Sequence, residues 1–455
     1  MMRSRHGKMR GLLSVVSVSL LVFMLSVCAE AKDPASSAKK IKIGVAGPMK
    51  FSWGKNMWVG AQVAAEEINA HGGVVVKGVR YDIEAINADS NDYQSVVDAV
   101  NTVKRFITVD KINFLIAGAR TEATLAQQEV MADYRVIYIF SGGGSPVMHT
   151  RLAENYERFK YFFNMVPNAI DQNRTYGALL DTAAAKIRED LGIAKPKVAL
   201  VMEKAKWADA IVDAAKATLP KMGMEVVGEW RPSAMASDLT SELSAIKAAG
   251  AHIIYEVFTG PAAVIFNKQV GELQIPVAVV GVNTEGIGMG KRYWNETNGM
   301  CEFETAVGWD FGSVEITKKT AAVYNVLFNR IKEIPFMTAY TCYDAIYLLK
   351  EAAERAGSLE SDAVVRELEK TDYAATFGRV AFHPKGHKWP HGTVWGAGYQ
   401  TFIGFQWQAG KMVAVWPNGR SPHPALDAGS GWEGLKYKGT GDFKLAPRMI
   451  KYWKK

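Results

Sequence analysis

Cysteine is scarce in this chain: 455 residues contain three, Cys28, Cys301 and Cys342. Three thiols cannot staple a disulfide scaffold, and none has the paired spacing of a zinc site. Whether Cys301 and Cys342 bond to each other stays open at this level. No Gly-x-Ser-x-Gly elbow occurs, and neither Cys301 nor Cys342 sits in a nucleophile motif. The residues therefore give no support to an enzyme, and no cofactor is expected. Past the N-terminus, no run of eighteen uninterrupted apolar residues offers a membrane-spanning helix. Compositional bias is missing too. The chain is 48% hydrophobic and 22% charged, with 41 glycines and 16 prolines, which excludes a disordered, collagenous or coiled-coil protein. Its length fits two or three domains, or one fold of two lobes.

What is present begins with an export signal. Arg3, Arg5, Lys8 and Arg10 precede an apolar stretch over residues 11–27, followed by Ala29-Glu30-Ala31. Basic segment, apolar segment and small residues in that order mark a secretory signal peptide. The stretch is slightly short, and too rich in serine, for a membrane anchor. Leu25-Ser26-Val27-Cys28 looks like a lipoprotein box, but Val27 stands where a small residue belongs. Cleavage after Ala31 is expected, which discards Cys28 and leaves a soluble periplasmic protein.

The formal net charge of +8 hints at nucleic acid or an anionic membrane. Its distribution removes the first reading. Residues 1–31 hold four basic side chains against one acidic, and residues 417–455 hold eight against three. The body between them is balanced, with 42 of each sign. No nucleic-acid partner is expected.

Residues 32–40 read as a polar linker. Strand and helix patterns then alternate. Residues 41–46, 81–88, 114–117 and 136–140 read as strands, and 60–69, 93–108 and 122–134 as helices. The alternation restarts after Tyr161. Helices are expected at 171–191, 208–222, 237–249 and 262–273, and strands at 197–202, 225–230, 252–256 and 277–280. Repeated βα units imply an α/β fold of parallel sheets with helices on both faces, and two series imply two lobes. Residues 314–368 read as mostly helical. Residues 399–407 and 411–416 form a hairpin turning at Ala409-Gly410. From Pro417 the chain has no period and reads as an extension packed loosely on the surface.

Several motifs could carry chemistry. Gly286-Ile287-Gly288-Met289-Gly290-Lys291 fails the phosphate-loop spacing, because Arg292 follows the lysine, and reads as a flexible βα loop. His383, His387 and His391 recur every four residues, but Pro384, Gly386 and Pro390 prevent a helix from aligning them. A surface turn is expected there, and no metal. Ser141-Gly142-Gly143-Gly144-Ser145-Pro146 follows a strand, where loop amides meet ligands at the carboxyl edge of a parallel sheet. Arg120-Thr121-Glu122 follows another strand, and Thr121 is expected to cap the next helix.

In this order the segments resemble the periplasmic solute-binding proteins of branched-chain amino acid ABC transporters. The resemblance rests on Ile41-Lys42-Ile43-Gly44-Val45-Ala46-Gly47-Pro48, Gly60-Ala61, and Glu67-Ile68-Asn69-Ala70-His71-Gly72-Gly73. It continues through the loops at 120–124 and 141–146, Thr284-Glu285-Gly286, Phe377-Gly378, Phe382, Gly386, and the closing Gln406-Trp407-Gln408-Ala409-Gly410-Lys411. It covers residues 41–417.

The resemblance implies the type I periplasmic-binding-protein fold: two Rossmann-like lobes joined by three crossovers, near Phe162, Thr305 and Phe377. Lobe 1 would comprise residues 41–162 and 306–376, and lobe 2 residues 163–305 and 377–416. Residues 417–455 would form a basic extension. In the cleft, Thr121 and Ser145 would hold the α-carboxylate and amine of the ligand with hydroxyls, Gly143 would offer a backbone group, and Glu285 would pair with the ammonium. Trp53, Trp207, Phe258 and Tyr343 (or Tyr340) would form aromatic walls. The cysteines that flank the site in some relatives are replaced by Ser90 and Arg120, and Arg120 would place a cation near the cleft. The resemblance implies a monomer that delivers an amino acid or related small carboxylate to ABC permease subunits. A soluble sensor for a signalling receptor, or a binder of aromatic or other organic acids, are the alternatives.

Overall fold

Residues 41–46 alternate only weakly between apolar and polar, as a strand buried on both faces must. In the computed structural model, which describes residues 39–454 apart from the side chains of Lys206 and Trp207, they lie in the middle of the first of two large sheets. Its strands are β1 (Lys39–Gly47), β2 (Val74–Val76), β3 (Val79–Asp89), β4 (Phe114–Ala117), β5 (Ile137–Phe140) and β6 (Phe162–Asn164), in the order β2-β3-β1-β4-β5-β6. All neighbours are parallel except the edge pair β2–β3. Signal residues, Cys28 and most of the linker lie outside the described residues.

The second sheet contains β7 (Lys197–Met202), β8 (Glu225–Trp230), β9 (Ile253–Phe258), β10 (Ala278–Asn283) and β11 (Thr305–Gly308). The small hairpin of β12 (Asp372–Ala375) and β13 (Gly378–Ala381) stands apart from both large sheets. The antiparallel hairpin of β14 (Ile403–Gln408) and β15 (Lys411–Trp416) completes the second sheet, in the order β15-β14-β11-β10-β9-β7-β8. βα units account for the parallel strands, and the final hairpin extends one edge.

Each sheet is the core of one lobe. The helix Ser52–Ala70 covers the first sheet together with Met337–Ala356, which arrives from the far side of the second lobe's sequence. The two helices touch so closely that a Cβ on Gly60 would stand 2.0 Å from the Ala339 carbonyl oxygen. The chain passes between the sheets after β6, after β11, and between β13 and β14. The third passage runs through residues 382–402, beyond Phe377, because Thr376 and Phe377 are the two-residue turn of the β12–β13 hairpin.

Three expectations change. The chain after Pro417 is anchored rather than loose. Trp432 is 1% exposed and its ring lies 5.1 Å from those of both Trp395 and Trp416. Further on, the Gln406 amide bonds Lys444 on both its N–H and carbonyl, and Trp453 Nε1 donates to the Pro276 carbonyl at 2.6 Å. Single aromatics spaced along irregular backbone leave no period to read. The segment after β10 is not a flexible loop but two short helices, Thr284–Met289 and Lys291–Glu296, joined at Gly290 with φ +54°. His391 is not on the surface: it is buried, with its ring stacked 4.0 Å from that of Phe163. Among the described residues, no cluster of three His, Cys, Asp or Glu side chains is placed to hold a metal ion. Cys301 and Cys342 are both free and buried.

Candidate functional site

Parallel strands end in loops at their carboxyl edge, and both sheets bring such loops to the passages between the lobes. On the first lobe, β1 leads into the helix Ser52–Ala70, with Trp53 in its first turn. Trp53 is half-buried and its indole N–H donates to the Gly118 carbonyl, 3.3 Å away, just past β4. The loop after β5 presses on the same spot. A Cβ on Gly142 would lie 2.6 Å from the Gly118 oxygen and 2.8 Å from the Trp53 ring, so only glycine fits. Gly143 and Ser145 follow, half-buried. The Gly144 carbonyl accepts from the Ala169 N–H at 2.6 Å, which ties this loop to the first passage into lobe 2. The Thr341 hydroxyl holds its base by donating to the Ser141 carbonyl at 3.0 Å.

Thr121 sits one position later than a cap. The helix Thr121–Tyr134 starts on it, and Arg120, in extended conformation, occupies the cap position without a side-chain bond to the first turn. The Arg120 guanidinium is engaged elsewhere: it donates to Glu122 at 3.0 Å and to the Tyr93 carbonyl at 3.2 Å. Arg120 therefore braces two loops rather than presenting an unpaired cation to a ligand. Below it, buried Asp92 accepts from the Ser90 hydroxyl and from the Ala119 N–H. Burial raises the Asp92 carboxyl above its ordinary range, and these hydrogen bonds oppose the rise.

On the second lobe, Asn283 ends β10 and its side-chain oxygen accepts from the Gly286 N–H at 2.7 Å, capping the turn that carries Glu285. The Asn283 amide also donates to Glu304 at 2.7 Å and to the Tyr293 hydroxyl oxygen at 3.0 Å, and the Tyr293 hydroxyl donates to Glu304. Glu304 lies against Glu256, and burial raises both carboxyls. Glu285 is half-buried above this polar core. Burial raises its carboxyl, Arg292 lowers it and Glu296 raises it. Its charge also reaches Tyr93 on the other lobe. Burial first, then Asp92 and Glu285, push the Tyr93 phenol up. Glu285 is thus within electrostatic reach of Tyr93 on the first lobe.

Two of the expected aromatic walls lie elsewhere. Phe258 is fully buried, 5.2 Å from Phe266 of the helix Ala262–Glu272, and belongs to the core of lobe 2. Tyr343 points to the helix Ser52–Ala70, where its hydroxyl donates to Glu67 at 2.5 Å. Tyr340 is buried against Phe311 and does not replace it. Trp207 occupies the first turn of the helix Lys206–Thr218 after β7, and its side chain lies outside the described residues.

Aromatics outside the expected walls pack behind Trp53 and beside the Arg120 loop, and of these Phe336 and Trp309 are buried. Phe336 lies 5.4 Å from Trp53 and 4.8 Å from Trp309, ring to ring. Tyr93 is 39% exposed and meets Phe51 edge-on at 5.1 Å. Trp309 directly follows β11, so the carboxyl-edge rule that singled out the glycine loop would also have found it. Phe336 precedes a helix at no recognisable motif.

A family described as periplasmic binding protein matches residues 40–399. The Leu/Ile/Val-binding protein homolog 3 of Brucella melitensis is 24% identical over 387 residues, covering 82% of this chain and 93% of that protein. Among solved structures, the branched-chain amino acid transporter substrate binding protein of Streptococcus pneumoniae, in complex with isoleucine, superposes with a TM-score of 0.65. It is 21% identical and covers 82% of this chain and 98% of its own. The solute binding protein of an ABC transporter from Rhodopseudomonas palustris, in complex with 3,4-dihydroxy benzoic acid, gives a TM-score of 0.64. It is 18% identical and covers 82% and 95%. The fold is that of the type I periplasmic binding proteins.

Proposed function

The chain belongs to the periplasmic binding protein family and is of the substrate-binding type that serves ABC transporters, not an enzyme; from that premise we propose that it captures a small carboxylate between its lobes and delivers it to permease subunits. The observation that supports the proposal is the placement of ligand-type loops at the carboxyl edges of both sheets. The glycine loop at 141–146 and the first turn of Thr121–Tyr134 follow strands of the first sheet, and Glu285 follows β10 of the second, with its charge acting on Tyr93.

A carboxylate leaving water needs donors to replace its hydration, and the loop amides around Gly143 with the Thr121 and Ser145 hydroxyls supply them. Glu285 matches an ammonium, where the ligand has one. Trp53 forms an apolar wall. Groups on two lobes are satisfied together only when the lobes approach, so the ligand shifts the population toward the closed form. An exported monomer acting in the periplasm fits this role.

A second ligand class, aromatic acids, is favoured by the half-buried Trp53 indole beside the glycine loop, a larger wall than a small aliphatic side chain requires. A relative of the same fold was solved with 3,4-dihydroxy benzoic acid. A thermal-shift screen of amino acids against aromatic acids tests the proposal, because a ligand of the native state raises the melting temperature. At least one carboxylate is expected to do so. A screen in which none does would contradict the proposal.

A further inference from the structure

The family match ends at residue 399, and the chain after Pro417 lies beyond it. Most of this tail is fastened to lobe 2. Trp432 packs against Trp395 and Trp416. Leu426 lies so close to the helix Ala169–Leu191 that a Cβ on Gly177 would stand 2.3 Å from it. Further on, the Lys444 N–H donates to the Gln406 side chain on β14 at 2.9 Å, and Trp453 holds the Pro276 carbonyl just before β10.

Between these anchors the tail leaves lobe 2 and returns. The Glu315 N–H donates to the Lys438 carbonyl at 3.0 Å, and the two residues form an antiparallel bridge. A Cβ on Gly439, whose φ is +97°, would stand 2.2 Å from the Ser313 carbonyl oxygen, so only glycine lets the tail approach this closely. Ser313 and Glu315 lie on the second passage, after β11, where the chain already packs on lobe 1. Phe311 lies 4.8 Å from Tyr340 of the helix Met337–Ala356, ring to ring. A Cβ on Gly312 would stand 2.4 Å from the Tyr324 ring of the helix Thr320–Ile331. That helix is itself tied to Ser52–Ala70 by Arg330 and Glu66, 2.6 Å apart. Two residues beyond Gly439 the tail is back on the second sheet, where the Gly441 N–H donates to the Ala414 carbonyl of β15 at 2.8 Å. The half-buried Tyr437 ring packs at this seam, on an apolar cluster that includes Phe311 and Val314 of the passage and Met412 and Ala414 of β15.

We infer that residues 437–441 are a fourth connection between the lobes, a non-covalent strap that limits the travel of the hinge in the ligand-free protein. Three covalent passages leave two lobes free to turn about them. A segment fixed to lobe 2 on both sides, and paired in its middle with chain packed on lobe 1, is strained or broken when the lobes swing apart. The Lys438–Glu315 ion pair, 3.1 Å long, contributes little to the restraint, because the lysine side chain is 86% exposed. The close backbone pairing at 438–439 and the Tyr437 ring carry it. The inference rests on the capture reading above for the motion that is restrained, and not on the ligand.

Pulsed dipolar spectroscopy of the ligand-free mature protein tests it. Spin labels are placed at Val97→Cys, on the helix Val96–Arg105 of lobe 1, and at Asp213→Cys, on the helix Lys206–Thr218 of lobe 2. Both positions are exposed, whereas the native Cys301 and Cys342 are buried and escape labelling. Gly439→Val drives the tail off Ser313, and Tyr437→Ser removes the ring at the seam. Each should broaden the interlobe distance distribution about twofold relative to the labelled parent. Trp453→Phe removes a tail contact confined to lobe 2 and should leave the width unchanged. Circular dichroism checks that each variant is folded, and Tyr437→Ser decides alone if Gly439→Val is not. Unchanged width in the folded strap variants, or equal broadening by Trp453→Phe, would overturn the strap. Either result would leave the capture reading standing, because the ligand screen tests that reading separately.

Discussion

Lowering the pH from 7 to 5 should weaken the fold through one side chain at the first passage between the lobes. His149 is fully buried. Its Nδ1 lies 3.1 Å from the Pro390 carbonyl, which can only accept. Its Nε2 lies 3.3 Å from the Asn164 amide nitrogen, which can only donate, because the Asn164 oxygen is taken by the Val166 N–H. The neutral ring with a proton on Nδ1 satisfies both neighbours; a second proton would point one donor at another. Burial is the main cause that brings the imidazole from its ordinary 6.5 down to about 4; the Pro390 hydrogen bond opposes it, and His391 and His387 add to it. His383 is likewise pushed down to about 4, by burial first and then by His387, His149 and Lys388.

Between pH 6.5 and 4 the unfolded chain therefore binds a proton at residue 149 that the folded chain refuses. The stabilisation is complete above 6.5 and is lost as the pH falls toward 4. At 1.36 kcal/mol per unit, going from pH 7 to pH 5 removes about 2 kcal/mol through His149 alone. His149→Gln cannot titrate. Urea unfolding followed by circular dichroism should show the wild type losing about 2 kcal/mol more than this variant between the two pH values. Equal losses would refute the reasoning.

Gly142→Ala should cost binding at least tenfold, because the new Cβ meets the Gly118 carbonyl and the Trp53 ring inside van der Waals contact; titration with the ligand found by thermal shift checks it. Asn283→Ala removes the cap under Glu285 and a donor to buried Glu304, and should lower stability by about 3 kcal/mol in thermal or urea unfolding. Trp432→Ala should destabilise by about 3–5 kcal/mol, because the indole fills the space between Trp395 and Trp416. A loosely attached tail would show almost no change.

The repeating βα pattern was legible because burial on both sheet faces writes a strong apolar period into the strands, as in β1, β4 and β9. The glycine loop and Glu285 were legible for the same reason: each directly follows such a strand. Errors fall where a helix or strand register decides which way a side chain turns. Tyr343 shares a helix with Thr341, but two residues along it faces Glu67 instead of the glycine loop. Phe258 ends β9 on the side covered by Phe266. Thr121 falls one residue inside its helix because Arg120 is drawn to Glu122 and Tyr93. Trp309 follows β11 as the glycine loop follows β5 and was open to the same rule, whereas Phe336 sits on irregular chain where no period points to it. The tail is opaque for a related reason: its anchors, Trp432 and Trp453, are isolated aromatics whose partners are far away in the sequence.

Hydrogen–deuterium exchange, with and without the carboxylate selected by thermal shift, reads both sides of the cleft at once and does not depend on the ligand's class. Bound ligand should slow exchange together in residues 118–124 and 141–146 on the first lobe and in residues 283–290 on the second. Protection confined to one lobe, or found away from all three segments, would contradict capture between the lobes.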